Sequence, residues 1–456
     1  MSRDSDNECR RLLEMTRSEL ARERDRADQL QSLIDHDSET GLLRHHILVR
    51  RLNRLIHEKR ARFAFGIIRL DRNYQRIRHS RDRLKVLLYV TAERIKRVLG
   101  PGNLYQSDRS DEFLFFLPDI SGEDEIDAAV TDIMDTVREF HNPPASDISF
   151  GCNIGVAIFP DHAESVKELE ENAEIALGVH EEVRWGGFLY SPEIGATYHE
   201  NNTLESVLRN GILDGFSGFH VAYQPLVDVN GAILGCEALM RWDAPGHGSI
   251  SPTRFIPLAE QSGPIVYLGK WILYQVLGQV KIWREQLSET LFASLNMSLV
   301  QLEQPDCVEM ITVAMNSHKL PGDALQLEVT ESALMENPEA VRKNLQAFQK
   351  MGIRIMLDDF GTGYSSLAML NTLPVNTLKI AKEIIDDFPG DPRSVEIVRA
   401  IMSISESFGF TTLAEGIEKE EQYRSLVQEG CHILQGFLFS IPLSAKEFQA
   451  LFRATH

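Results

Sequence analysis

The second half of the chain repeats one pattern: a short apolar run that carries or ends in a polar residue. These runs are AYQP at Gln224, GCEAL at Glu237, SLNMS at Asn296, LQLEV at Glu328, IMLDDF at Asp358, TLKI at Lys379, TLAEG at Glu415 and LQGFLF at Gln435. Most are separated by room for a helix, with 343–350 and 395–408 carrying clear helical patterns. Eight strands alternating with helices predict a (β/α)8 barrel, in which the strands' C-terminal ends converge on one face. One spacing departs from that rule. Gln224 and Glu237 are 13 residues apart, with Asn230-Gly231 midway. Asn-Gly marks a hairpin, and so short a span cannot hold two strands and a crossover helix. The first two strands are therefore expected to be antiparallel, with Gln224 directly opposite Glu237.

The first half reads differently. Leu13, Thr16, Leu20, Glu23, Ala27, Leu30 and Ile34 follow a 3–4 spacing, and five of the seven are apolar. Residues 1–35 are thus expected to form one helix, either in a short dimeric coiled coil or packed on the next domain. Between 36 and 190 strand-like and helical patterns alternate. Strands are expected at 62–70, 112–117 and 148–159, with a helix over 83–99 that stops at Gly100-Pro101-Gly102. This is an α/β or α+β domain. Tyr190–Thr203 is polar and without periodicity, so 191–203 reads as a linker before a barrel of residues 204–456.

Composition narrows the class. The 456 residues are 43% hydrophobic and 25% charged, which excludes wholesale disorder. No apolar run reaches the ~18–20 residues of a membrane helix; the nearest, Gly263–Gly278, is broken by Lys270. The N-terminal stretch MSRDSDNECRR has no apolar core of a secretory signal. Five dispersed cysteines contain no CxxC pair, so neither a zinc site nor a disulfide framework is indicated. A cytoplasmic protein is expected. The formal charge is −20, yet the 44–97 block holds 17 Lys/Arg against 4 Asp/Glu. That block fits solvated amphipathic helices, or else an anionic partner: RNA, a nucleotide or an acidic face of the same molecule.

The polar strand ends carry the candidate chemistry. Glu237, Asn296, Glu328, Asp358, Asp359 and Glu415 would meet at one barrel mouth, where buried carboxylates repel unless protons or cations neutralise them. An all-oxygen set without Cys or His suits Mg2+ or Mn2+. The adjacent pair Asp358-Asp359 is suited to two ions, a standard device for displacement at phosphate. Lys379, at the rim, would orient a water or offset phosphate charge. The following Gly361-Thr362-Gly363 and Ser365-Ser366 add donors for phosphate.

Residues 204–456 closely resemble the EAL domain family of cyclic di-GMP phosphodiesterases. The resemblance rests on YQPLVDV at Tyr223, Glu237-Ala238-Leu239 followed by Arg241-Trp242, SPTRFIPLAE at Ser251, Asn296-Met297-Ser298, Glu328-Val329-Thr330-Glu331, DDFGTGYSSL at Asp358, Leu378-Lys379-Ile380, Ala414-Glu415-Gly416 and QGFLFSIPL at Gln435. It implies hydrolysis of cyclic di-GMP to linear pGpG with two Mg2+ or Mn2+ ions. By the same resemblance, Glu237, Asn296, Glu328 and Asp358 hold one ion, and Asp358, Asp359 and Glu415 the other. Lys379 holds the attacking water, Glu331 supports the loop after Asp359, and Gln224, Arg241 and Gln435 contact the dinucleotide. One departure stands out: the family reads Lys-Ile-Asp where this chain reads Lys379-Ile380-Ala381. Glu383 and Asp386 are the nearby carboxylates that could compensate.

The 36–190 segment resembles the GGDEF family of diguanylate cyclases, with degenerate working positions. The signature falls at Arg109-Ser110-Asp111-Glu112-Phe113, the metal-binding aspartate aligns with Arg69, and the Asn after Thr40-Gly41-Leu42 is replaced by Arg44. The product-inhibition motif is absent near 100–103, whereas Ile154-Gly155-Val156-Ala157 matches a late strand of the family. The resemblance implies a domain with the cyclase fold but no cyclase activity. Three functions remain open on sequence: a regulated phosphodiesterase forming a homodimer, a non-catalytic cyclic di-GMP receptor, or an RNA-binding scaffold.

Overall fold

The computed structural model describes residues 33–58, 62–70, 81–140, 151–178, 185–331, 338–361 and 373–455, with single positions 26, 31 and 370. Apart from Ile34, the predicted heptad seam lies outside these residues, as does the Gly-Ser loop beyond Gly361. The chain divides into two compact units, Met1–Asn202 and Thr203–His456.

The first unit is built on a six-stranded sheet of β1 (Leu43–Arg44), β2 (Phe63–Leu70), β3 (Leu104–Gln106), β4 (Glu112–Leu117), β5 (Cys152–Phe159) and β6 (Gly186–Leu189), ordered β1-β3-β4-β2-β5-β6. Central β2 is apolar on both faces because both are covered. Ala64 and Ile68 pack with Leu88, Ala92 and Ile95 of helix Arg81–Leu99 and with Ile126, Ile133 and Val137 of helix Glu123–Phe140. Phe63, Phe65 and Ile67 point the other way, onto Leu48 and Leu52 of helix His45–His57 and Leu169, Ala173 and Leu177 of helix Val166–Gly178. Gly66 is required by this packing, since a Cβ there would stand 2.1 Å from the Phe115 ring.

In the second unit β7 (Phe219–Asp228), β8 (Ile233–Ala244), β9 (Gly248–Ile250), β10 (Phe292–Asn296), β11 (Leu325–Thr330), β12 (Arg354–Phe360), β13 (Thr377–Ile380), β14 (Thr411–Ala414) and β15 (Ile433–Leu434) form one sheet. A parallel β8–β10 pairing closes it into an eight-stranded barrel, with β9 hanging from β8. β7 runs antiparallel to both neighbours, and Gln224 faces Glu237 as expected. The hairpin is longer than a two-residue turn: Asp228 N–H donates to Ala232 O, leaving 229–231 in the loop. A register shift between Leu226 and Val227 then restores the Gln224–Glu237 pairing.

Strand alternation explains why the barrel has an apolar floor and a polar mouth. Leu226, Phe292, Met356, Leu413 and Ile433 form a buried plug. Gln224, Asp358, Glu415 and Gln435 each lie two positions from a plug residue, and a two-residue step returns to the same face. The outer strand faces join the surrounding helices in a separate core that includes Trp242, Phe255, Trp283 and Phe348.

The 191–203 stretch departs from its reading as a turn-rich linker. It is the first half of a helix, Pro192–Leu213, that runs across the 202/203 division. Ser191 Oγ accepts from Ile194 N–H at 3.3 Å, and Pro192 occupies the first turn, so the start is a Ser-Pro cap rather than an apolar stripe. Leu204 and Leu208 then bury in the barrel unit's core. Among the described residues no helix is long and apolar enough to cross a membrane.

Candidate active site

The strand ends bring together nearly every residue that the sequence singled out. Glu237, Glu328 and Asp358 project from β8, β11 and β12 and are buried, as are Gln224 and Gln435. Asn296 ends β10, and Glu415 follows β14. Lys379 from β13 does not sit at the rim. Its side chain is 3% exposed and stands among four carboxylates: 2.9 Å from Glu328 Oε2, 3.1 Å from Glu415 Oε2, 3.2 Å from Asp358 Oδ1 and 3.5 Å from Glu237 Oε2. Burial alone would lower its pKa, yet the surrounding carboxylates hold it well above the ordinary lysine value.

Amides fix the orientation of Glu237. Asn296 Nδ2 donates to Oε1 at 2.8 Å, and Gln435 Nε2 donates to Oε2 at 2.7 Å. Gln435 also donates to Gln224 Oε1 at 3.1 Å, whose own Nε2 donates to Ser440 O. Burial opposes ionisation of Glu237, but Lys379 and these amides bring its pKa below the usual carboxylate value. Glu328 shows the opposite outcome. Burial first, then the charge of Glu237, pushes it up to about 8 against the pull of Lys379. Burial likewise raises Asp359 and Glu415.

Consecutive residues of a regular strand point to opposite faces, yet Asp358 and Asp359 both bring carboxylate oxygens beside Glu415. A register shift interrupts the β12–β13 pairing between Leu357 and Phe360, and Asp359 takes φ +56°. Such a bulge re-aims a side chain, and aspartate tolerates the left-handed region better than most residues. Asp358, Asp359 and Glu415 thereby offer oxygens within 4.8 Å of one another. Glu415 also accepts from Lys382 N–H at 3.3 Å. The next residue, Gly416, has φ +72°, and a Cβ there would lie 2.5 Å from Lys382 Cγ.

Ala381 is completely buried and caps the short helix Lys382–Asp386 without a side-chain bond. Of the two suggested compensating carboxylates, Asp386 is exposed and held by Lys382 Nζ at 2.6 Å. Glu383 lies close enough to Asp359 to raise its pKa. Arg241, half-buried on β8, feels Glu237, although desolvation lowers its pKa. Glu331 is buried just past β11, and its Oε2 has no hydrogen-bond partner among the described residues. Sequence reasoning missed the Lys382 contacts, whose visible cue was the lysine three positions after Lys379.

The donor set fits divalent cations. Glu237, Glu328, Asp358, Asp359 and Glu415, when ionised, outweigh Lys379 by a net −4, the charge of two such ions. Burial raises the pKa of Glu328, Asp359 and Glu415, a cost that a bound cation would offset.

In the first unit, the signature turn between β3 and β4 is occupied differently. Arg69 donates through Nε and Nη2 to Glu112 Oε2 at 3.1 and 3.0 Å, and Nη2 also reaches Glu174 Oε1 at 2.5 Å. Arg109 stands 3.5 Å from Glu112, and Ser107 Oγ donates to its other oxygen at 2.7 Å. Glu112 is thus enclosed by cations and donors. Part of the basic block is engaged inside this unit, with Arg44 on Asp37, Arg62 on Asp161, Lys85 on Glu39 and Lys96 on Glu93.

Comparisons with known proteins agree with this architecture. The EAL domain family matches residues 207–442, and the family described as diguanylate cyclase, GGDEF domain, matches 34–182. MucR of Pseudomonas aeruginosa, named a bifunctional diguanylate cyclase/cyclic di-GMP phosphodiesterase, is 32% identical over 369 residues, covering 80% of this chain and 53% of its own length. PdeR of Escherichia coli, named a cyclic di-GMP phosphodiesterase, is 28% identical over 440 residues, covering 96% of this chain and 66% of its own. A solved structure titled PaMucR phosphodiesterase, c-di-GMP complex, is 37% identical with a TM-score of 0.52, covering 54% of this chain and 99% of that one. The chain spans about half the length of the first curated relatives it matches. With a match over more than half of its residues and the closed barrel behind that match, the chain belongs to the EAL domain family, its EAL domain preceded by a GGDEF domain.

Proposed function

We propose that the second unit hydrolyses one phosphodiester of cyclic di-GMP to linear pGpG with Mg2+ or Mn2+, and that the first unit makes no cyclic di-GMP. The observation that carries the reading is the convergence of Asp358, Asp359 and Glu415 within 4.8 Å beside a buried lysine. Glu237, Asn296, Glu328 and Asp358 would hold one ion, and Asp358, Asp359 and Glu415 the other. When bound, two such ions polarise a phosphoryl oxygen and offset charge developing at phosphate.

The chain's own groups do the rest. Lys379 holds the attacking water through an ammonium kept protonated by its carboxylate ring. Gln435, Asn296 and Gln224 keep Glu237 in one orientation, so its oxygens are pre-set rather than searched for. Gln224, Arg241 and Gln435 contact the dinucleotide, with the Arg241 guanidinium suited to a phosphate. Glu331 supports the loop after Asp359. Arg69 and Arg109 support the loss of cyclase activity, since they occupy the acidic group that a metal would need. A homodimer through the 13–34 seam, in the cytoplasm, completes the proposal.

Ala381 favours a second reading, a receptor that binds cyclic di-GMP without turning it over. The deciding experiment incubates the chain with cyclic di-GMP and Mn2+ and follows pGpG by chromatography. Turnover that disappears in Glu237→Gln and Asp358→Asn supports the enzyme. Binding without turnover supports the receptor, and turnover retained in either variant refutes the assigned ligands.

A further inference from the structure

We propose that Lys382 is a positioning residue for the second metal ion: it clips the turn after β14 onto the start of helix Lys382–Asp386 and so aims Glu415. The inference rests on the two-ion reading of the barrel mouth. β14 ends at Ala414, so Glu415 lies just past the strand, where its N–H donates to Ile380 O at 3.3 Å. Two groups from the end of the neighbouring β13 then orient its carboxylate. Lys379 Nζ stands 3.1 Å from Oε2, and Lys382 N–H donates to Oε1 at 3.3 Å. The first N–H groups of a helix have no intrahelical partner. Ala381, at the N-cap, supplies no side-chain acceptor, so this N–H is open to Glu415.

The side chain of Lys382 closes the clip. Its Nζ reaches Glu418 Oε1 at 3.0 Å, three residues past Glu415, and Asp386 Oδ1 at 2.6 Å on its own helix. Between the two attachments, Gly416 lies against the lysine stem. A Cβ at 416 would stand 2.5 Å from Lys382 Cγ and 2.9 Å from its Cβ, so any side chain there must push the stem away. One residue therefore meets the 415–418 segment through its N–H, its methylenes and its ammonium. Lys379 is shared among four carboxylates. These contacts of Lys382 instead fall on the segment that carries Glu415 or on its own helix. Loosening the clip should thus act on the ion assigned to Asp358, Asp359 and Glu415, and spare the one held beside Glu237. Groups that orient a metal ligand without touching the ion are a general means of setting its affinity.

The test titrates the full chain with Mn2+ by calorimetry, with electron paramagnetic resonance following the spin coupling of the two-ion state. The unaltered chain is expected to take up two ions. Glu418→Gln and Lys382→Met should each weaken one binding step roughly two- to fivefold, the scale of exposed ion pairs, and leave the other step unchanged. The double variant should be little weaker than Lys382→Met, because both substitutions break the same pair. Lys382→Arg should restore the step. Asp386→Asn, which spares the Glu418 contact, should leave both steps as they are. Gly416→Ala should weaken the same step about tenfold or more, since it displaces the lysine stem. Equal weakening of both steps, or of neither, overturns the role of Lys382. So does an Asp386→Asn effect as large as that of Glu418→Gln. An unaltered chain that takes up fewer than two Mn2+ overturns the two-ion reading itself, and this inference with it.

Discussion

Lys379→Met is the most informative single change in the barrel. The substitution keeps much of the side-chain volume and deletes the ammonium that stands among Glu237, Glu328, Asp358 and Glu415, all within 3.5 Å of it. Removing one partner of a buried ionic cluster costs about 3–5 kcal/mol, because uncompensated charge stays buried. That cost depends on pH. In the native protein Lys379 has a raised pKa, so its stabilisation is fully present below the ordinary lysine pKa and is lost only as pH rises through the folded value. In the variant the carboxylates lose their counter-charge, and their folded pKa values rise above the unfolded ones. Their protonated forms then spare the fold at low pH, and stability falls as pH climbs through those values. With Glu328 already at about 8 in the native protein, the gap between the two proteins should be small near pH 5 and widest above pH 8. Urea unfolding followed by tryptophan fluorescence reads this unit through the buried Trp242 and Trp283. Mn2+ should narrow the gap, since at about 100 times its Kd a bound ion contributes ~2.7 kcal/mol and the variant presents it a more negative site. A gap of equal size at both pH values and indifferent to Mn2+ would refute the idea that Lys379 serves as the internal counterion. The variant should also lose hydrolysis.

Three further outcomes follow from the same geometry. Mn2+ affinity should strengthen as pH rises through about 8, because Glu328 must release its proton, and titration in buffers of different ionisation enthalpy should detect that proton; pH-independent affinity would contradict it. Ala381→Asp should raise turnover at low Mg2+, since it adds negative charge beside Glu415 and an N-cap acceptor of about 1 kcal/mol to helix Lys382–Asp386; superimposable metal titrations would show that this buried position has repacked around alanine. GTP with Mg2+ should yield no cyclic di-GMP, because Arg69 and Arg109 hold Glu112; synthesis detected chromatographically would mean that those ion pairs open readily.

Sequence alone determined the features set by period and spacing. Short apolar runs that each carry or end in a polar residue put Asp358, Glu415 and Gln435 at converging strand ends of a barrel. The 13-residue gap between Gln224 and Glu237 forced an antiparallel β7. The charge reversal at Arg69 was equally legible, because a residue type needs no coordinates. The tertiary structure decided whatever depends on groups remote in the chain. Lys379 looks like a rim residue in TLKI, and only closure of the barrel surrounds it with carboxylates from four other strands. Asp359 would face away from Asp358 in a regular strand, and a bulge against β13 turns it back. The Pro192–Leu213 helix escaped periodicity because a local Ser-Pro cap begins it and the burial of Leu204 and Leu208 sustains it. Local rules propagate over a few residues, whereas electrostatic environment and register shifts arise from partners that only folding brings within ångströms.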